Sequence, residues 1–145
     1  REVDAETQKL LDVTKESLYK GIEKAVAGNR VGDIGYAIQS YCEGFGFSVV
    51  REMVGHGIGK NMHESPEVPN YGLAGKGKKL SEGMVICIEP MINAGGRSIY
   101  LHDDGWAIST SDKRNSAHFE LMVAIKKGEA DILSTFDYIE GKKNY

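Results

Sequence analysis

Two histidines that bracket a glycine-rich stretch, and two glutamates set into apolar runs, are the residues of this chain best suited to chemistry. His56 stands in Gly55-His56-Gly57-Ile58-Gly59, where glycines on both sides keep side chains away and let a ligand or metal approach the backbone. His63 follows in Met62-His63-Glu64-Ser65-Pro66, just before a proline-defined turn. Glu89 closes the apolar run Met84-Val85-Ile86-Cys87-Ile88 and precedes Pro90. A carboxylate at the end of a buried strand is costly unless a cation or donor pairs with it. Glu120 repeats the pattern inside His118-Phe119-Glu120-Leu121-Met122, where strand alternation puts His118 and Glu120 on one face. A salt bridge to one of the 18 basic residues is a sufficient account of either glutamate taken singly. Taken together with His56, they form an imidazole and carboxylate set that suits a borderline or hard divalent metal.

Other chemistries lack their residues. No serine lies in a GxSxG elbow, neither cysteine has the electropositive, exposed setting of a nucleophile, and the glycine runs match neither a P-loop nor a dinucleotide fingerprint.

The elements that must position these residues change character along the chain. Asp4 can cap a first helix, with Glu6 in its opening turn and an apolar stripe of Leu11, Leu18, Ile22 and Val26, stopped by Gly28 and Asn29. Val31, Ile34, Ile38, Tyr41 and Phe45 mark a second amphipathic helix ended by Gly44 and Gly46. From Phe47 a short β-like run leads to the loop at residues 55–59. Residues 84–89 read as a buried strand, 98–101 and 106–110 as a hairpin around His102-Asp103-Asp104-Gly105, 117–126 as a further strand and 132–133 as a short last one. Residues 72–79 read as a solvated loop and 140–145 as a frayed tail. Helices followed by mostly antiparallel strands predict an α+β architecture.

The 145 residues carry 41% hydrophobic and 27% charged side chains, the balance of one globular domain. A net charge of −3 gives no reason to expect nucleic acid or a membrane as partner, and no apolar run is long enough for a span. Cys42 and Cys87 form no CxxC pair; two separated thiols suit a reducing, cytoplasmic compartment. An opening at Arg1 that runs straight into a helix-like segment is how a fragment or a processed product looks.

The motifs GHGIGKNMHESP, VICIEPMINAG, DGWAIST and SAHFE, in this order and spacing, resemble the type I methionine aminopeptidases, and the likeness runs from LLDVTKESLYKGI to ADILSTF. The resemblance implies the C-terminal half, residues 1–145, of a pita-bread fold, with helices packed on a mostly antiparallel curved sheet and the N-terminal half absent. It implies removal of N-terminal methionine from nascent chains and peptides through two divalent ions (Co, Mn, Fe or Zn) and a metal-bridging hydroxide. His56, Glu89 and Glu120 match metal ligands, and Glu89 also matches the proton shuttle. His63 matches the histidine beside the scissile bond. Met62, Trp106 and His118 fall at substrate-contacting positions. The family's two aspartate ligands come from the other half. Asp12-Val13-Thr14 copies the surroundings of one of them, but within an amphipathic helix, and Glu23 stands where the second is due. Cys87 replaces a frequent threonine, Leu121-Met122 a frequent His-Thr, and Met62 a common aromatic.

With three ligands instead of five, the chain alone is expected to be inactive and to need the missing half or self-association. Prolidases and aminopeptidase P share the fold and ligands, but GHGIG and DGWAIST fit the type I enzymes better. A non-catalytic pita-bread binding module is the remaining alternative, and it has no need of His56, His63, Glu89 and Glu120 together.

Overall fold

The computed structural model describes residues 2–140; the tail expected to fray lies, from residue 141 onward, outside them. Helix α1 (Ala5–Ile22) starts where Asp4 accepts a 2.7 Å hydrogen bond from the Thr7 N–H. Its buried stripe is Leu10, Val13, Thr14, Ser17, Leu18, Gly21 and Ile22, rotated from the one expected, and Leu11 is only half-buried. Thr14 and Ser17 can join the stripe because each hydroxyl donates to a carbonyl of its own helix, Leu10 and Thr14 respectively, at 2.7 Å. The helix stops at Ile22 rather than reaching Val26, which instead bridges to Lys126.

Helix α2 (Val31–Gly44) crosses α1 at Gly21, where an added Cβ would come within 2.8 Å of Ile38. Its first N–H groups are satisfied by the loop at residues 72–79: Val31 donates to the Lys78 carbonyl and Gly32 to that of Lys76, both at 3.0 Å. That loop is exposed on its outer side and a helix cap on its inner side.

Three antiparallel sheets follow, so the architecture is α+β as expected. One has the order β10 (Asp131–Ile132), β9 (Leu121–Ala124), β4 (Val85–Ile88), β2 (Gly55–Gly57) and β3 (Glu64–Val68). The second has β1 (Ser48–Val49), β5 (Met91–Asn93) and β8 (Ser116–His118), and the third is the hairpin β6 (Ile99–Leu101) with β7 (Ile108–Thr110). A short α3 (Asp137–Glu140) closes the described chain. The helices and the sheets share one core, in which Leu18, Ile34, Ile38, Ile86, Ile88, Ile92 and Val123 are sealed from solvent.

Two expectations need correction. The glycine stretch begins as a strand, β2, held between β3 and β4. Its glycines admit neighbouring backbone rather than a ligand: a Cβ on Gly55 would meet the Cys87 carbonyl at 2.3 Å, and one on Gly57 the Ser65 carbonyl at 2.4 Å. The strand expected over 117–126 is broken into β8 and β9. The break lies opposite Pro90, which has no N–H to give the ladder. Pairing keeps the same register on both sides, Ile88 with Leu121 before the break and Met91 with His118 after it.

Candidate metal centre

That constant register sorts the side chains. Ile86, Ile88, Ile92, Ala117, Leu121 and Val123 face the helices and are buried. Cys87, Glu89, Met91, His118, Glu120 and Met122 alternate with them and share the opposite face. Continuing the pairing by one step from Ile88 and Leu121 sets Glu89 across from Glu120 at the break. Like charges directly opposite across a ladder are destabilising unless something between them compensates. On the third strand of this face His56 pairs with Cys87.

The result is a compact donor cluster. His56 Nε2 lies 3.4 Å from Glu89 Oε1, and His118 Nε2 lies 3.4 Å from Glu89 Oε2. The side chains of His56 and Glu89 are each only 13% exposed. His56 Nδ1 is 2.9 Å from the Gly57 carbonyl, which can only accept, so Nδ1 donates there and Nε2 is the ring nitrogen turned to Glu89. Two trios of donor atoms, His56 with Cys87 and Glu120, and Glu89 with His118 and Glu120, each lie within 4.8 Å of one another and share Glu120. Ligands about 2.1 Å from a tetrahedral ion stand roughly 3.4 Å apart, which matches the separation of His56 Nε2 from Glu89 Oε1. Nitrogen and carboxylate donors at that spacing fit a divalent metal.

The remaining expected residues are distributed around the cluster. The His63 ring packs edge-on against His56 with centroids 4.3 Å apart, on the exposed approach to β3. Trp106, two residues before β7, is 87% exposed and lines an open cavity of about 330 Å³ with His118, Met91, Met53, Val50 and Ile108. That volume is at the lower end of ligand sites, which run roughly 300–1,000 Å³. Met62 is 70% exposed and is not among the cavity's lining residues, so it stands apart from Trp106 and His118. Asp12 accepts a hydrogen bond from Gln8 along the surface of α1, and belongs to neither trio.

The structure also brings in Cys87, which lies outside the ligand set that the sequence predicts. Burial, the hydrogen bond with Glu120 and the charges of Glu120 and Glu89 push its thiol up to about 12, so it stays protonated near neutral pH. Its spacing of two residues from Glu89 was the signal available in the sequence.

Residues 1–127 match the model of metallopeptidase family M24. The chain is 52% identical over 133 residues to the methionine aminopeptidase of Clostridium acetobutylicum, covering 92% of this chain and 53% of that protein. It is 48% identical over 132 residues to methionine aminopeptidase 1 of Bacillus subtilis, covering 91% and 53%. The crystal structure of methionine aminopeptidase from Rickettsia prowazekii superposes with a TM-score of 0.88 at 45% identity, covering 90% of this chain and 53% of that one. The chain thus spans about half the length of the curated relatives it matches.

Proposed function

Because the chain belongs to metallopeptidase family M24, we propose that it is the C-terminal half of a methionine aminopeptidase, which removes N-terminal methionine from peptides and nascent proteins. The observation that carries this reading is the pair Glu89 and Glu120, opposed at the break in the ladder with His56 beside them. In this reading His56, Glu89 and Glu120 are this half's metal ligands, and the two missing carboxylate ligands come from the other half. Divalent ions bound there, of the kinds Co, Mn, Fe or Zn, supply Lewis acidity and lower the pKa of water.

The other steps belong to side chains. Glu89, almost enclosed, takes a proton from the attacking water and returns it to the leaving amine. His63, exposed beside His56, donates a hydrogen bond to the developing oxyanion. The cavity walled by Trp106, Met91 and His118 receives the methionine side chain, whose thioether suits an aromatic and sulfur-rich wall.

Exposed Leu101, Trp106 and Ile108 on the hairpin support a partner surface, which we assign to the missing half, with self-association as its substitute. Among the described residues no helix is long and apolar enough to cross a membrane. Action on nascent chains, together with the free thiols of Cys42 and Cys87, supports a cytoplasmic setting.

The test is co-expression with the N-terminal half of a matching relative, followed by assay of Met-Ala-Ser cleavage with Co, Mn, Fe or Zn. Chelator-sensitive release of methionine is the expected outcome. A folded complex that releases none with any of the four metals sinks the proposal, and chelator-indifferent peptide binding points to the binding-module alternative.

A further inference from the structure

Glu89 lies where its strand is least supported. As far as Cys87 the strand is flanked on one side by β2, with His56 opposite. From Met91 onward the same side is taken over by β1, and the Val50 N–H donates to the Met91 carbonyl at 3.0 Å. Between these two flanking strands residues 51–53 bend away and are exposed, which leaves the backbone of Glu89 beside a gap in the ladder. A side chain reaches into that gap. Asn70 Nδ2 donates to the Glu89 carbonyl at 3.1 Å. Asn70 has no exposed surface, and its Oδ1 is buried without a hydrogen-bond partner. Burying an amide with its acceptor unused costs stability, and packing alone would be served as well by an apolar side chain of the same shape.

We propose that Asn70 is a positioning residue for Glu89: its amide N–H stands in for a ladder partner and fixes the backbone from which the Glu89 carboxylate reaches His56 and His118. The inference rests on the role given to Glu89 in the proposed function. The segment that carries Asn70 is itself held firmly. A Cβ on Gly35 of α2 would meet the Tyr71 carbonyl at 2.3 Å and the Pro69 carbonyl at 2.7 Å, so residues 69–71 lie directly on the helix backbone. The Gly72 N–H then donates to Gln39 Oε1 of the same helix at 3.1 Å. Helix α2, Asn70 and Glu89 thus form one line of contacts from the core to the metal-centre face. Loss of the amide frees the Glu89 main chain, and with it a carboxylate whose oxygens stand 3.4 Å from His56 Nε2 and from His118 Nε2. Asn70 is not among the residues lining the cavity near Trp106, so binding of the substrate side chain is left alone. Turnover and metal retention depend on it, and substrate affinity does not.

Asn70→Leu keeps the branched shape and removes the donor, and Asn70→Ala makes the same deletion where Asn70→Leu does not fold. Each is reconstituted with the N-terminal half of a matching relative. Co(II) affinity is measured by calorimetry, kcat and KM on Met-Ala-Ser with Co(II), and the melting temperature on the same complexes. The expected result is a fall of about 10–100-fold in Co(II) affinity, in kcat or in both, the loss typical of a contact that supports a metal ligand. KM stays close to that of the unsubstituted complex, and the melting temperature of Asn70→Leu is not lowered. A folded variant with unchanged Co(II) affinity and kcat overturns the assignment. So does a raised KM at constant kcat, or a change confined to the melting temperature, since Asn70 is then a packing residue. Failure of both variants to fold overturns it too. An unsubstituted complex that binds Co(II) but releases no methionine refutes the peptidase reading instead, and the affinity comparison then decides the role of Asn70. A complex that neither binds nor cleaves refutes both.

Discussion

The two faces of the strands β4 and β9 share one backbone and one register, yet they follow opposite rules. On the helix side, Ile86, Ile88, Leu121 and Val123 are buried and apolar, each within 2% of complete enclosure. On the other side, Cys87, Glu89, Glu120 and Met122 place a thiol and two opposed carboxylates next to His56. Burial on one face supplies the stability that holds charge on the other in an arrangement unfavourable by itself. The break at Pro90 marks the place where the second face departs from regular pairing.

Substitutions should therefore separate function from stability by face. The largest effect is expected from Glu89→Gln in the reconstituted peptidase: a fall in kcat of about 10²–10⁴-fold, the usual range for a lost acid-base group, with little change in melting temperature. A loss of stability comparable to that of a core substitution would break the distinction between the faces. Ile88→Ala is the mirror case, expected to cost about 2–5 kcal/mol in denaturant unfolding, with metal affinity preserved under conditions where it remains folded.

A third effect distinguishes a buried thiol remote from the site. Burial between the helices, offset in part by a hydrogen bond with Ser17, raises the Cys42 thiol from 9.0 to about 11. Below pH 9 both the folded and the unfolded chain keep the proton. Above it the unfolded thiol ionises first, so stability falls as pH rises from about 9 to 11, with a slope of at most about 1.4 kcal/mol per pH unit. Unfolding of Cys42→Ala across that window should lack this component, and an identical pH profile would show the thiol to be less enclosed than the structure has it. The smallest effect sharpens the comparison most. In metal-free chain, Glu120→Gln removes one of two opposed carboxylates and should raise stability, toward the lower end of about 0.2–1 kcal/mol because Glu120 is open to solvent. Addition of Zn(II) should reverse the order, stabilising the unsubstituted chain more.

Much of the donor set was legible before any coordinates, because a charged residue in an apolar run is a local anomaly. Glu89 and Glu120 stand out in that way, and His56 is isolated by glycines. What misled was local too. The glycines around His56 look like a loop, but the residues that make them a strand, Cys87 and Val68, lie far along the chain. Met62 sits beside His63 in sequence, yet the cavity near Trp106 is walled by Met91 and Met53 instead. The sequence pattern puts the stripe of α1 on Leu11, Leu18, Ile22 and Val26, while the buried face includes Thr14 and Ser17, whose hydroxyls are satisfied inside the helix.

The order of residues alone determined the Asp4 cap of α1, the alternation of apolar and polar positions, and the identity of the carboxylates and imidazoles, since each depends on neighbours within a few residues. Only the tertiary structure decided that Glu89 and Glu120 face each other, that Cys87 turns its sulfur toward His56, and that the glycines serve strand packing. Those facts depend on register between strands distant in sequence. A shift of one residue in that pairing would have turned the same side chains into the core.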